Sequence, residues 1–77
     1  MREIIIGKTY RHFKGNLYKV LDIVYDSESE DLKKVVIYEA LYGDHLKWAR
    51  PYDMFISKVD KDKYPDIKQE YRFESVD

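Results

Sequence analysis

Two short segments carry the side chains best suited to bind a ligand. The first contains Arg11 and His12, and the second contains Trp48 and Arg50. Trp48 and Arg50 are two residues apart, so on a strand they share one face, where they can form a floor for a flat or cationic ligand or for a peptide. The alternative is structural: Trp48 fills the core and Arg50 covers it with its aliphatic stem.

His12 is the candidate general base, because imidazole titrates near neutral pH. If Ser27 or Glu28 lies nearby, His12 would act as the base of a small hydrolase or of a domain that assists a hydrolase. The alternative is a histidine that anchors a turn through a hydrogen bond. No glycines of a nucleophile elbow flank Ser27, so we assign no catalytic residue. Arg11 is expected either to clamp an anion through its planar fork or to pair with an acid such as Asp26 or Glu28.

Tyrosine is the most informative residue type, with eight copies in 77 residues. Five of them cannot all be central in so small a core, because each hydroxyl needs a hydrogen-bond partner. We therefore predict that some lie at the rim of the core and form an exposed aromatic groove. The five are Tyr10, Tyr18, Tyr38, Tyr42 and Tyr52, and the predicted ligand-binding residues are Arg11, His12, Tyr18, Tyr42, Trp48 and Arg50.

The composition excludes several kinds of site. Without cysteine, the chain has no disulfide and no thiolate nucleophile or metal ligand, which favours a reducing cytoplasm. Counted from Asp26, a calcium loop needs glycine at its sixth position and glutamate at its twelfth, where this chain has Asp31 and Ile37. The three glycines do not form a phosphate-binding loop. We expect no metal and no cofactor. The apolar run 35–38 is too short for a signal peptide or a membrane span.

The charge balance argues against a dedicated nucleic-acid binder. The net charge is −1, whereas affinity for nucleic acid usually depends on a positive surface. Locally, Lys8, Arg11, Lys14 and Lys19 favour a platform on which single-stranded bases stack. A single-stranded nucleic-acid binder is therefore a further, disfavoured alternative.

Short runs of Val, Ile and Tyr predict an all-β fold. The expected strands cover residues 8–13, 17–25, 34–42 and 47–50, followed by a fifth at 56–60 and a short edge strand at 71–73. A bulge at Val20–Leu21 is expected to bend the second strand, and a helical turn is expected over Pro51–Phe55. This order predicts one domain over residues 1–77, built as a small antiparallel barrel of about five strands.

Three blocks of residues, in order and at similar spacing, resemble the bacterial domain of unknown function 1653 family. The resemblance covers about residues 8–60, with 61–77 as a C-terminal extension. It implies an SH3-like β-barrel without an assigned activity. The family's loop tends to read His-Ser-Glu where this chain has Asp26-Ser27-Glu28, which argues against chemistry that depends on that histidine. The blocks are Tyr10-Arg11-His12-Phe13-Lys14-Gly15 with Tyr18-x-Val20, Tyr38-x-x-Leu41-Tyr42-Gly43, and Trp48-x-Arg50-Pro51-x-x-Met54-Phe55.

The preferred interpretation is a non-catalytic binding module. We expect its surface to engage a peptide, a partner protein or a small anionic or aromatic ligand. An exposed edge strand would allow strand-to-strand pairing, so we expect a monomer or a weak homodimer.

Overall fold

Short β-branched and aromatic segments form the strands of the protein, as their residue types favour. The computed structural model describes residues 3–76. Its elements are β1 (Thr9–His12), β2 (Leu17–Tyr25), β3 (Lys34–Ala40), β4 (Lys47–Pro51), α1 (Tyr52–Phe55) and β5 (Phe73–Ser75).

The five strands form one antiparallel sheet in the order β4-β3-β2-β1-β5. The predicted all-β architecture is confirmed. The sheet is open rather than a closed barrel, because its two edge strands, β4 and β5, do not pair with each other. Within residues 3–76, no helix is long and apolar enough to cross a membrane.

The predicted bulge in β2 is present and decides which side chains reach the core. The register between β2 and β3 shifts between Val20 and Asp22, so Leu21 is the extra residue. Since side chains alternate along a strand, one extra residue exchanges the two faces beyond it. Tyr18 and Val20 before the bulge and Ile23 after it therefore all pack at the same core.

The predicted fifth strand at 56–60 is wrong. That segment makes only an isolated bridge between Lys58 and Tyr71. The chain then returns, and Arg72 donates its backbone N–H to the carbonyl of Ser57 at 2.8 Å. The physical reason is length, because the pairing covers only residues 57–59 against 70–72, where two backbone hydrogen bonds flank the one bridge.

The segment 61–77 was expected to be a C-terminal extension, but its described part contributes a strand to the sheet and a side chain to the core. The strand β5 pairs with β1, and its first residue, Phe73, lies opposite His12. Only 1% of Phe73 is exposed. This short strand supplies one of the largest side chains of the core.

The core is centred on two stacked phenylalanines. The rings of Phe55 and Phe73 lie 4.0 Å apart and nearly parallel, at 2°. Tyr10 and Tyr38 meet Phe55 edge-on, with ring centroids 5.8 and 5.2 Å away. The buried Tyr10 hydroxyl accepts a hydrogen bond from the backbone N–H of Ile5 at 2.9 Å, which satisfies its polar end.

We predict that Phe55→Ala destabilises the fold by about 3–5 kcal/mol, because it removes a fully buried ring and its stacking partner. That is a large part of the roughly 4–12 kcal/mol expected for a chain of this length. The measurement is denaturant unfolding, and Phe55→Leu provides a milder variant that retains a measurable transition.

Met54→Ala is the matched control, since Met54 precedes Phe55 in the same turn and is 48% exposed. Its cost should stay within about 0.5 kcal/mol. Equal losses for the two alanine variants would contradict the stacked core.

Candidate functional site

One open groove gathers side chains from all five strands and from the loops beside them. Its volume is about 380 Å³. We call it the aromatic groove, and it is lined by His12, Lys14, Asn16, Tyr18, Tyr38, Tyr42, Trp48, Arg50 and Phe73.

Trp48 forms an exposed wall of the groove. It lies directly opposite Tyr38 in the β3–β4 register, but on an edge strand. No further strand covers it within residues 3–76. Trp48 is 48% exposed, whereas Tyr38 is 4% exposed. The structural alternative, in which Trp48 fills the core, is wrong because Phe55 and Phe73 occupy that place.

Tyr18 and Tyr42 form a second wall. Their hydroxyls are hydrogen-bonded at 2.7 Å, and their rings meet edge-on at 5.6 Å. Burial, followed by this hydrogen bond, raises the pKa of Tyr18 to about 12. The Tyr18 hydroxyl is therefore protonated at neutral pH. Tyr42 is 44% exposed, so its ring is available to a ligand.

The predicted division of the tyrosines is thus confirmed. Tyr10 and Tyr38 are buried and Tyr42 is exposed, while Tyr18 and Tyr52 are half-buried against the core.

Arg50 places a fixed positive charge at the floor of the groove. Its Nε donates a hydrogen bond to the Tyr38 hydroxyl at 3.1 Å. Its Cζ lies 5.4 Å from the centre of the Phe73 ring, within the range of a cation–π contact. The Nε bond uses one of five guanidinium N–H donors, and a planar guanidinium held in this way suits a carboxylate or a phosphate.

His12 anchors the turn between β1 and β2, which is the second of its two predicted roles. Its Nδ1 accepts a hydrogen bond from the backbone N–H of Lys14 at 3.1 Å. The imidazole packs edge-on against Phe73, with centroids 4.9 Å apart. Burial, and then the positive charges of Arg50, Arg72 and Lys14, lower the pKa of His12 from 6.5 to about 4. The ring is therefore neutral at physiological pH.

The structure does not assemble the predicted hydrolase residues. His12 lies beside the start of β2, whereas Ser27 and Glu28 follow its end. This strand has nine residues, which at about 3.3 Å per residue is roughly 30 Å of strand between the two groups. The loop is instead closed locally, since the Asp26 carboxylate accepts the backbone N–H of Glu28 at 2.9 Å.

Arg11 does not join the other predicted residues. It is exposed and does not line the aromatic groove. The reason is strand geometry, because neighbours on a strand point to opposite faces and His12 takes the groove side. The structure brings together His12, Tyr18, Tyr42, Trp48 and Arg50.

Four lining residues were not predicted as ligand-binding residues: Lys14, Asn16, Tyr38 and Phe73. Tyr38 reaches the groove because it lies opposite Trp48 in the β3–β4 register, and the sequence of a single strand does not reveal this pairing. A signal did exist for Lys14 and Asn16, since both belong to the turn that follows His12.

Comparison with family models gives one result that decides the relationship of the chain to known proteins. A family described as protein of unknown function (DUF1653) matches residues 8–75. The chain belongs to the DUF1653 family. The DUF1653 match extends past residue 60 and includes β5, so every residue that lines the groove lies inside it. No curated protein and no solved structure matches the chain.

We predict that His12 titrates with a midpoint near 4 in a histidine NMR titration. The unfolded chain has the ordinary pKa of 6.5, so between 6.5 and 4 it binds more protons than the folded chain. The His12 contribution to stability is therefore present above 6.5 and is lost as the pH falls to 4.

His12→Asn tests this contribution, because asparagine retains a hydrogen-bond acceptor for Lys14 but does not titrate. Its free energy of unfolding should fall less than that of the wild type across this pH window. The control is His45→Asn, at an exposed left-handed position that asparagine tolerates. A His12 midpoint near 6.5 would contradict the assigned environment.

Proposed function

We propose that the protein is a non-catalytic binding module that holds a peptide, a segment of a partner protein or a small ligand in the aromatic groove. The observation that carries the proposal is the exposure of Trp48 and Tyr42, at 48% and 44%, beside the guanidinium of Arg50. Tryptophan, tyrosine and arginine are the residues that most often dominate binding energy at protein interfaces.

The groove side chains are held in place before any ligand arrives. Tyr18 and Tyr42 hold each other through their hydroxyls, and Arg50 is held by Tyr38 and by Phe73. A ligand therefore does not have to order these side chains, and this lowers the entropic cost of binding.

The enzymatic alternative has little support. A general base works best with a pKa near the working pH, and the pKa of His12 is about 4. Burial and nearby cations make His12 a weak base at neutral pH, so it serves binding better than proton transfer.

We further propose that the module acts in the cytoplasm, as the lack of cysteine suggests, and as a monomer or a weak homodimer. The edge strand β4 offers the outer side of its backbone to a second copy.

The test uses Trp48 fluorescence, because Trp48 is the only tryptophan of the sequence. We expect members of a short-peptide library or a fragment library to shift or quench its emission, with saturable titrations. Fluorescence polarisation of a labelled hit should then show at least about tenfold weaker binding for Trp48→Ala, as for an interface hot spot.

Leu46→Ala is the control, since Leu46 is an exposed apolar residue just before β4 that does not line the groove. Both variants are checked for folding by circular dichroism. Hits that bind Trp48→Ala and the wild type equally, or libraries without any Trp48 response, would overturn the proposal.

A further inference from the structure

A second cleft adjoins the aromatic groove on the side of the C-terminal segment. Its volume is about 310 Å³. Three residues, His12, Lys14 and Arg50, line both the groove and this cleft. The two clefts are therefore adjacent, and together we call them the depression. We call the second cleft the cationic lobe, and its own residues include Asp60, Lys63, Tyr64 and Arg72.

The lobe carries an excess of positive charge. Lys14, Arg50, Lys63 and Arg72 line it, against one carboxylate, that of Asp60. Within residues 3–76, the ion pairs are His45–Glu39 and Lys58–Glu70, so none of these four cations has a carboxylate within 4.0 Å.

The single carboxylate of the lobe is engaged by its own turn. The Asp60 side chain accepts the backbone N–H groups of Asp62 and Lys63, at 3.0 and 3.4 Å. These bonds hold its charge at the turn, where it lies more than 4.0 Å from the charged nitrogens of the four cations.

Aromatic rings hold the lysines of the lobe. Phe13 and Tyr64 pack with centroids 5.0 Å apart. The Lys14 ammonium lies 5.8 Å and the Lys63 ammonium 5.7 Å from the centre of the Tyr64 ring. Arg72 is fixed separately, because its Nε donates to the Ser57 hydroxyl at 3.1 Å. That bond does not use the two terminal amino groups of the guanidinium.

His12 adds a neutral donor to the same place. Its Nδ1 accepts a hydrogen bond, so in the neutral ring the proton is on Nε2. Burial is the first cause of the low pKa of His12, and the positive charges of Arg50, Arg72 and Lys14 follow, so three cations lie close to this imidazole.

We propose that the cationic lobe binds the oxyanion, a phosphate or a carboxylate, of a ligand whose planar ring lies in the adjoining aromatic groove. This inference rests on the proposed function and specifies the ligand class. Guanidinium and ammonium groups bind oxyanions through charge-assisted hydrogen bonds, and the rings of Trp48 and Tyr42 offer flat apolar faces.

The experiment is an NMR titration of the full chain with phenyl phosphate, benzoate and benzyl alcohol, which share one ring and differ in charge. We expect both anions to bind about tenfold or more tightly than the neutral alcohol. Shifts should map to both halves of the depression. The ratio of the two anion affinities then identifies whether phosphate or carboxylate is preferred.

Arg72→Gln should weaken the binding of either anion about threefold or more and leave that of the alcohol unchanged. Arg11→Gln is the matched control, since Arg11 lines neither cleft. Lys63→Gln, at an exposed position, provides a second variant if Arg72→Gln fails to fold. A bound anion should also raise the pKa of His12, because it stabilises the imidazolium.

Equal affinities for the three compounds, anion binding that Arg72→Gln and Lys63→Gln leave unchanged, or binding of none of them would overturn the inference. The proposed function can hold even if the oxyanion inference fails. Neutral ligands that shift Trp48 signals and depend on Trp48 would sustain it while the oxyanion inference fails.

Discussion

The stack between Phe55 and Phe73 is the interaction on which the rest of the structure depends. A chain of 77 residues has few large side chains with which to build a core on an open five-stranded sheet. These two rings, one from α1 and one from β5, stack at 4.0 Å and fill the centre of the core. Since the centre is taken, the remaining rings lie around it, and Trp48 and Tyr42 reach solvent.

The same stack links the core to the candidate site. Both His12 and Arg50 contact Phe73. The centre of the Phe73 ring lies 4.9 Å from the centre of the His12 ring and 5.4 Å from the Arg50 Cζ. A fixed guanidinium on a buried ring maintains a positive charge in a partly desolvated place, where it interacts more strongly with an anion than it would in water. The chain thereby combines a net charge of −1 with a local positive depression.

The features predicted correctly from the sequence are those that depend on a local pattern of residues. The strand β2 was predicted with its observed bounds and its bulge, because nine consecutive residues carry that pattern. A short edge strand at 71–73 was predicted, but the burial of Phe73 was not, because a three-residue strand is too short to show a period and this burial depends on pairing with the distant His12. The error at Arg11 was avoidable: strand alternation already places it on the face opposite His12, so the two could not both line one groove.

The central claim is that an open aromatic wall stands beside a positive charge, and quenching of Trp48 fluorescence tests it most directly. Iodide, an anion, and caesium, a cation, both quench the fluorescence of exposed indoles. Free N-acetyltryptophanamide provides the reference for the intrinsic quenching efficiency of each ion. Since Arg50 shares the face of Trp48, iodide should be concentrated near the ring and caesium repelled, more so at low salt. We predict that iodide quenches Trp48 more efficiently than caesium does, relative to the reference. A Trp48 that neither ion reaches, or one that caesium quenches equally well or better, would contradict the account.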